Sequence, residues 1–592
     1  MKINVNGNEY EIKGASGKTV LEACADIGVN IPNLCYSKNL GLLSSCRACV
    51  VEIEGRWNLV PACGVNIADG MIIKTNSPRV LDARKTVLEL LLSDHELDCL
   101  KCSRTSDCRL KKASEDAQCD AKRFARDKEF VTVDQKNDYI RRNPNKCIMC
   151  GRCVKVCAIH QQVDVLAVNG RGFESTVGVA WDKELGSVPC ITCGQCVANC
   201  PTAALEEAQA TNRHDHLQLL KEKIADDKTH VIIATAPSTR VAIGEGFGMK
   251  SGTNVQGKMV TALKKLGFDR IFDLNLAADF TIMEEGVEFI SKLDNWEGEV
   301  KTLFTSCCPG WINYVTMMHP DLIPNISTTK SPQQIFGALA KTYYADKIDI
   351  EPKNIFMVML MPCVTKSSEA NRKGIDANSR IKDVDMVVTV REMIRLIKES
   401  GIDFKNLDDG KYDDPMGLSS GAGLIFGTTG GVTEAALRTV CEHIMGKKME
   451  NIEFHDLRGE KGIKVANVRD LKDKNGNNIR AAVVSGITNA ERVIQDIKSG
   501  YEHYHYVEVM ACPGGCVNGG AMPAHDAIIQ DNFGNARNRS KTIYNMDQYN
   551  NLRRSHENPV VKQIYDEFLG KPNGKKAHEL LHTTHTPRKK YN

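Results

Sequence analysis

Two adjacent cysteines, Cys307 and Cys308, stand in the run TSCCPGW (Thr305 to Trp311), where the apolar stretch Val300 to Phe304 gives way to a proline turn. Neighbouring side chains that leave an irregular loop diverge, so one metal ion rarely takes both. The pair therefore reads as one metal ligand and one thiol free for chemistry. Cys363, in Met361-Pro362-Cys363, and the pair Cys512 and Cys516 offer further thiolates. Alone, Cys512-x3-Cys516 reads better as two buried thiols. Set beside Gly514, Gly515, Gly519 and Gly520, it reads as backbone wrapped tightly around an object, because glycine carries no Cβ.

The chain has 23 cysteines in 592 residues. That is an odd number in a large chain whose first residues lack an apolar signal core, so a reducing compartment is expected. Tight cysteine groups there are metal sites or catalytic thiols. Cys35, Cys46, Cys49 and Cys63 are spaced C-x10-C-x2-C-x13-C, four thiolates that suit zinc or a [2Fe–2S] cluster. His95-x3-Cys99-x2-Cys102-x5-Cys108 offers one imidazole and three thiolates. Taken alone this could be zinc, but imidazole in place of thiolate also changes the charge and potential of an iron–sulfur cluster. Cys147, Cys150, Cys153 and Cys157 are followed by Cys190, Cys193, Cys196 and Cys200-Pro201, the same C-x2-C-x2-C-x3-C run twice. In this doubled bacterial-ferredoxin pattern the fourth cysteine of each run ligates the other cluster. One cluster then takes Cys147, Cys150, Cys153 and Cys200, and the other Cys190, Cys193, Cys196 and Cys157. Cys24, Cys119 and Cys441 are left over and are expected to be small buried hydrophobes.

The elements that must position these groups follow from pattern. Ile3, Val5, Tyr10 and Ile12 alternate around Asn6-Gly7-Asn8, a hairpin signal, and Thr19 to Ile27 reads as a helix stopped by Gly28. Val80 to Leu92 reads as an amphipathic helix, Lys111 to Lys128 as a solvated surface helix and Ala203 to Asp227 as a helical linker. Short apolar strands are expected at Val231–Ala234, Val300–Phe304, Ile355–Leu360, Val384–Val390, Ala481–Val484 and Tyr506–Val509. Alternating with helical stretches, they imply an α/β domain with parallel sheets. Ligands bind such sheets beyond the carboxyl ends of the strands. Ala236-Pro237-Ser238, TSCCPGW, Met361-Pro362-Cys363 and Met510-Ala511-Cys512 all lie there. Glu285 and Glu288 share a helix face behind an expected Thr281-x2-Glu284 capping box; two such glutamates are ordinarily a solvated surface. Gly244, Gly246 and Gly248, and Gly421 and Gly423, lack the rest of a phosphate loop. Net charge is +3 with 26% charged residues, and the only basic tract is Arg588 to Lys590, which argues against nucleic acid. No apolar run approaches the length of a membrane span, and a cytoplasmic protein is expected. Four domains are expected: 1–78, 79–136, 137–209 and 210–592.

Here a resemblance becomes specific. TSCCPGW, MPCVTKSSE (Met361 to Glu369) and EVMACPGGCVNGG (Glu508 to Gly520) resemble the three signatures of [FeFe]-hydrogenases. The likeness covers nearly the whole chain, and the first two cysteine groups are also similar to those of respiratory complex I large subunits. The resemblance implies a multidomain α/β and α+β chain. A β-grasp [2Fe–2S] ferredoxin-like domain would come first, then a small [4Fe–4S] domain with one-histidine, three-cysteine ligation, then a bacterial 2[4Fe–4S] ferredoxin-like domain. A two-lobed catalytic domain with parallel sheets would hold the H-cluster, a [4Fe–4S] cube joined to a two-iron unit carrying CO, cyanide and an azadithiolate. The cofactors implied are thus one [2Fe–2S], three [4Fe–4S] and the H-cluster. Cys308, Cys363 and Cys512 would hold the cube, and Cys516 would bridge to the two-iron unit. Lys366 and Ser238 would face the cyanides, and Pro237, Pro332, Gln333, Met361, Phe426 and Met510 would line the pocket. Cys307 would be the first proton station, followed by Glu285, Ser327 and Glu288. Implied partners are ferredoxin or NAD(P)H-binding flavoprotein subunits, and hydrogenase maturation proteins. The family commonly continues its third signature as Gly-Gly-Gly-Gln-Pro, whereas Gly519-Gly520-Ala521-Met522-Pro523 stands here. Competing readings are a complex I-like electron-transfer subunit, an H2 sensor and a cluster-assembly relative. Sensor-type relatives lack the proton-shuttling cysteine, which is present here as Cys307. Assembly relatives lack the pocket residues Lys366, Gln333 and Ser238.

Overall fold

The computed structural model describes residues 1–105, 107–125, 130–208, 213–295, 300–377, 381–474, 476–523 and 532–590. Strands β1 (Lys2–Val5) and β2 (Asn8–Glu11) pair antiparallel across Asn6 and Gly7, both at positive φ, as a tight hairpin turn requires. With β3 (Val50–Ile53), β4 (Val60–Pro61) and β5 (Met71–Lys74) they form one sheet in the order β2-β1-β5-β3-β4, in which β1 and β5 run parallel. The helix Val20–Asp26 packs on it. Its Thr19–Glu22 capping box is complete, and Gly28 turns left-handed just beyond its end, as the stop signal requires.

The helix Pro78–Ser93 matches the amphipathic expectation. The surface helix does not run its expected length. It spans Arg109–Asp116 and buries Leu110, Gln118 follows at positive φ, and residues 126–129 lie outside the described part. The doubled cysteine runs fold alike. In each, the residue before the second cysteine (Met149, Thr192) and the glycine after it (Gly151, Gly194) sit at positive φ. Each glycine then opens a helix, Arg152–Ile159 or Gln195–Asn199. β6 (Ile140–Arg142) pairs with β9 (Leu205–Glu207), and β7 (Ala167–Asn169) with β8 (Thr176–Gly178). β9 occupies the start of the expected helical linker, because its residues close the ladder of β6. The linker helix is confined to Arg213–Ile224, and the expected boundary at 209/210 lies outside the described residues.

The remaining chain builds two four-stranded sheets. The first, in the order β11-β10-β13-β14, is all parallel: β10 (His230–Thr235), β11 (Arg270–Asp273), β13 (Ile355–Met361) and β14 (Met386–Thr389). The second, β12-β17-β16-β15, is mixed. β12 (Leu303–Phe304), β17 (Tyr506–Met510) and β16 (Asn478–Ser485) run parallel, and β15 (Ile463–Lys472) pairs antiparallel with β16. The expectation of parallel sheets therefore needs correcting at β15. The short connection after Lys472 cannot make a crossover, so the two strands meet as a hairpin. β12 keeps two residues of the expected five. The helix Asn275–Asp294 packs against the helices Pro332–Leu339 and Gly431–Met445. It starts before the expected capping box, and Thr281 lies inside it, where its hydroxyl donates to the Ala277 carbonyl at 3.0 Å. Among the described residues no helix is long and apolar enough to cross a membrane.

Candidate active site and metal centres

Four strand ends deliver the central residues. β10 leads to Ala236-Pro237-Ser238, β12 to Cys307 and Cys308, β13 to Met361-Pro362-Cys363, and β17 to Met510-Ala511-Cys512. Cys308 begins the helix Pro309–Met318, with Pro309 at its first position. Its sulfur accepts the Ala511 N–H at 3.3 Å. Burial raises the Cys363 thiol to about 11, against the pull of the nearby Lys366 ammonium. Cys512 is raised by burial and then by the neighbouring Cys363, Cys308, Cys193 and Cys516. Burial also raises Cys516, with Cys308 and Cys363 next. The four thiols, each half-buried, thus crowd into one place.

The glycines around them permit close backbone approach. A Cβ on Gly515 would lie 2.5 Å from the Thr429 nitrogen, one on Gly519 2.4 Å from the Pro362 oxygen, and one on Gly520 2.5 Å from the Cys193 oxygen. They knit the cysteine loop to three other loops, backbone against backbone. Ala521 N–H adds a bond to the Pro362 carbonyl at 2.9 Å.

The lining holds buried polar atoms with no protein partner. Ser238 is fully buried and its Oγ is open. Gln333 Nε2 donates to the Lys366 carbonyl at 2.9 Å and to Glu369 at 3.3 Å, while its Oε1 stays open. Lys366 Nζ donates to the Cys307 carbonyl at 3.0 Å, Ser331 Oγ at 2.9 Å and Glu369 Oε2 at 2.7 Å. Glu369 was not legible as a site residue, although its i+3 spacing from Lys366 was a signal. Pro332 opens the helix that carries Gln333. Phe426 and Met510 lie with Cys307 in one apolar cluster, and Met361 is buried at the end of β13. Buried polar groups are normally satisfied. An open buried hydroxyl, free to donate, near four clustered thiols fits a metal–sulfur group whose small ligands carry lone pairs, while the open Gln333 amide oxygen is an acceptor.

Glu285 and Glu288 are not solvated: they are 1% and 8% exposed. Burial, reinforced by Glu288, lifts the Glu285 carboxyl from 4.5 to about 7. Tyr506 OH donates to Glu285 Oε1, and Oε2 is open. Tyr506 escaped the sequence reading, although Tyr506, Glu508 and Met510 share one face of β17 by the period of two. Ser327 Oγ donates to Glu288 Oε2 at 2.6 Å, and Thr328 N–H to both oxygens at 3.2 Å. Lys292 Nζ lies 3.5 Å from Glu288 Oε1 on the outer side. Cys307 is 8% exposed; burial and then Glu285 raise its thiol well above the ordinary value. It is a protonated thiol beside a carboxyl poised near neutrality.

The other cysteine groups also assemble. Cys35 is within hydrogen-bonding reach of Cys46 and Cys63, and Cys49 of Cys63. Cys147, Cys150, Cys153 and Cys200 line one cavity. Cys157 neighbours Cys190, Cys193 and Cys196. Cys108 caps the helix Arg109–Asp116 through Lys111 N–H at 3.5 Å and neighbours Cys102. Cys99 and Cys102 share a turn through the Cys102 N–H bond to the Cys99 carbonyl, and His95 follows the helix Pro78–Ser93. Cys35, Cys46, Cys150 and Cys108 all pack around one apolar core with Leu34, Leu88 and Ile148, so three of the groups meet. Among the described residues no three such side chains converge on a single-ion point; a cluster spreads its thiolates over two or more irons. Cys24 and Cys441 are buried as expected, whereas Cys119 is only half-buried.

The second ferredoxin-like group abuts the active site. Gln195 Nε2 donates to the Asn518 carbonyl at 3.0 Å, Gln161 Nε2 to Ala511 O at 3.0 Å, and Thr365 Oγ1 to Thr192 O at 2.9 Å.

Residues 229–520 match the family described as iron only hydrogenase large subunit, C-terminal domain, and 534–588 match iron hydrogenase small subunit. Residues 1–78 match a 2Fe-2S iron-sulfur cluster binding domain. Residues 84–123 match the NADH-ubiquinone oxidoreductase-G iron-sulfur binding region, and 139–201 a 4Fe-4S dicluster domain. The chain is 42% identical to the NADP-reducing hydrogenase subunit HndD of Solidesulfovibrio fructosivorans, covering 100% of this chain and 99% of the relative. It is 38% identical to iron hydrogenase 1 of Clostridium pasteurianum, over 98% of this chain and 99% of that one. A solved [FeFe]-hydrogenase from Chlamydomonas reinhardtii superposes with a TM-score of 0.54 at 38% identity, over 63% of this chain and 99% of that one. With the clustered thiols, the open buried polar atoms and the iron–sulfur domains in series, the chain belongs to the iron-only, or [FeFe], hydrogenases.

Proposed function

We propose that this hydrogenase catalyses 2H⁺ + 2e⁻ ⇌ H2 in a chain divided as 1–78, 79–136, 137–209 and 210–592. The observation that carries this reading is the crowding of Cys308, Cys363, Cys512 and Cys516 beside the open Ser238 Oγ and Gln333 Oε1, with Cys307 next to Glu285. Cys308, Cys363 and Cys512 would hold a [4Fe–4S] cube and Cys516 would join it to a two-iron unit. That bound H-cluster supplies the metal at which H2 is made or split, and the base beside it. The protein's part is to hold and feed it. Ser238 offers a hydrogen-bond donor and Lys366 a cation held in place by Glu369, as outer partners of a group with only one protein thiolate. Pro237, Pro332, Gln333, Met361, Phe426 and Met510 keep water out.

Proton movement falls to Cys307, Glu285, Ser327 and Glu288, in that order outward. The Cys307 thiol passes a proton to or from Glu285, whose raised affinity suits exchange near neutral pH. Ser327, bonded to Glu288, connects the two carboxyls, and Glu288 meets solvent beside Lys292. The proton-carrying cysteine favours turnover over sensing.

Electrons would travel through one [2Fe–2S] and three [4Fe–4S] clusters. The first is held by Cys35, Cys46, Cys49 and Cys63, the second by His95, Cys99, Cys102 and Cys108, and the ferredoxin-like pair in the crossed arrangement given above. The second ferredoxin-like site would be the last station before the active site. The likeness to an NADP-reducing hydrogenase subunit supports NAD(P)-linked partner subunits, with ferredoxin as the other candidate donor; co-purification from the native source decides between them. Twenty-three cysteines with no disulfide among the described residues support a cytoplasmic setting.

Infrared spectra of the matured protein test the cofactor: CO and cyanide bands are expected, and their absence would remove the reading. Cys307→Ala tests the proton route, with turnover falling by about 10²-fold or more while the bands persist.

A further inference from the structure

The hydrogen bonds around Ser327 are completed by a segment that the scheme above does not use, the tail Leu581–His585. Lys330 N–H donates to the Leu581 carbonyl and Thr583 N–H to the Thr328 carbonyl, each at 2.8 Å. Thr329 and His582 form an antiparallel bridge. His585 Nε2 lies 3.2 Å from the Ser327 carbonyl oxygen. The tail therefore contacts all four residues 327–330.

Side chains extend the grip. Thr328 Oγ1 lies 2.8 Å from His582 Nδ1, and His582 Nε2 lies 3.1 Å from Glu284 Oε2. Glu284 already accepts from Asn573 N–H at 2.7 Å and from Tyr565 OH. As an acceptor it requires the hydrogen of His582 to sit on Nε2, so Nδ1 accepts and the Thr328 hydroxyl donates to it. That hydroxyl is committed to the tail. The Thr328 backbone N–H is what remains for Glu288, 3.2 Å from both carboxylate oxygens. Histidine and glutamate are both buried, at 7% and 0% exposure, and His578 stacks on His582 at 4.5 Å. Glu284 and Glu285 are consecutive on one helix, so one rigid turn holds both the tail's anchor and the inner carboxyl of the proton route.

We propose that the tail is a positioning strap for the proton route, with His582 and Thr328 holding Ser327 and the Thr328 N–H against Glu288. His582 is a positioning residue and is not a station of the proton route. The inference rests on the reading of Cys307, Glu285, Ser327 and Glu288 as the route. Hydrogen-bonded transfer is sensitive to sub-ångström placement, so loosening the strap slows the proton step without touching the metal site.

The test uses the matured full chain. Thr328→Val keeps the backbone and removes only the hydroxyl; His582→Ala removes its acceptor. Each is expected to lower kcat about tenfold, with an increased solvent deuterium isotope effect, an unchanged KM for reduced viologen and unchanged CO and cyanide bands. The double variant is expected to lose little more than the worse single one, because both break the same link. If His582→Ala fails to mature, Thr328→Val still decides. Parent-like turnover in either variant with its bands intact overturns the strap. Cys307→Ala separates the two readings. Its loss of turnover beside unchanged strap variants overturns the strap alone, whereas full turnover in Cys307→Ala overturns the route on which the strap rests.

Discussion

Burial keeps the Glu285 carboxyl protonated up to neutrality, and that has a measurable price in stability. The group titrates near 4.5 in a solvated chain and near 7 in the fold. The fold accepts the protonated form, so this contribution is complete below the lower value and is lost as pH rises through the upper one. Glu285→Gln, which cannot ionise, should therefore lose less thermal stability than the parent between pH 4.5 and 7; parallel melting curves would contradict the raised affinity. At this scale the sequence was most legible where ligand geometry is local: the C-x2-C runs, TSCCPGW and Cys363. Tyr506 was not, because its partner Glu285 is distant in sequence and leaves no spacing to read; Glu369 stands three residues from Lys366, but its bonds to Ser331 and Gln333 leave no such trace. The burial of Glu285 and Glu288 was likewise hidden, since a helix periodicity cannot say that both of its faces are covered.

Among the elements, the loop Gly519 to Pro523 explains the departure from the usual family run. Met522 is 4% exposed and packs into the apolar cluster of Val260, Met393 and Leu360, and its carbonyl accepts from Arg391 at 3.0 Å. Met522→Gln would bury an amide there without a partner and should destabilise by about 1–3 kcal/mol, read as a lower denaturation midpoint. A midpoint equal to the parent's would mean that the loop can swing the amide to water. Gly520→Ala forces a methyl group into the Cys193 carbonyl, 2.5 Å away. It should cost about 1–3 kcal/mol through overpacking and slow H2 evolution driven from the N-terminal domains. An unchanged rate and midpoint would contradict the close approach. The parallel strands were legible from their apolar runs. The antiparallel β15 was not, because its identity depends on a partner rather than on its own pattern, and the helix Asn275–Asp294 began a turn and a half before its apparent capping box.

For the whole molecule, Arg539 is a joint between distant parts. It is buried, donates to both Glu245 oxygens at 2.7 and 2.6 Å, and reaches the Val517 carbonyl at 2.6 Å. One guanidinium thus ties the small-subunit-like helix Asn532–Gln548 to the first lobe and to the loop carrying Cys516. Arg539→Ala strands the Glu245 carboxylate and should cost about 3–5 kcal/mol, with a smaller fraction of molecules gaining CO and cyanide bands on maturation. Normal loading and stability would show that the three parts hold without it. The order of the iron–sulfur domains was legible from cysteine spacing. The tie, like the strap at Ser327, spans hundreds of residues and could not be.

The contact of Gly194 with Gly520 has a further consequence. A Cβ on Gly194 would lie 3.4 Å from the Gly520 Cα, and one on Gly520 would lie 2.7 Å from the Gly194 carbonyl carbon. Two backbones meet there with no side chain between them, and Gln195, Gln161 and Thr365 bolt the joint on its flanks. Such a seam leaves no play for a hinge. In the proposed electron route the inner end is then soldered rather than switched, which leaves the gating of current to the outer terminals, where a donor would arrive.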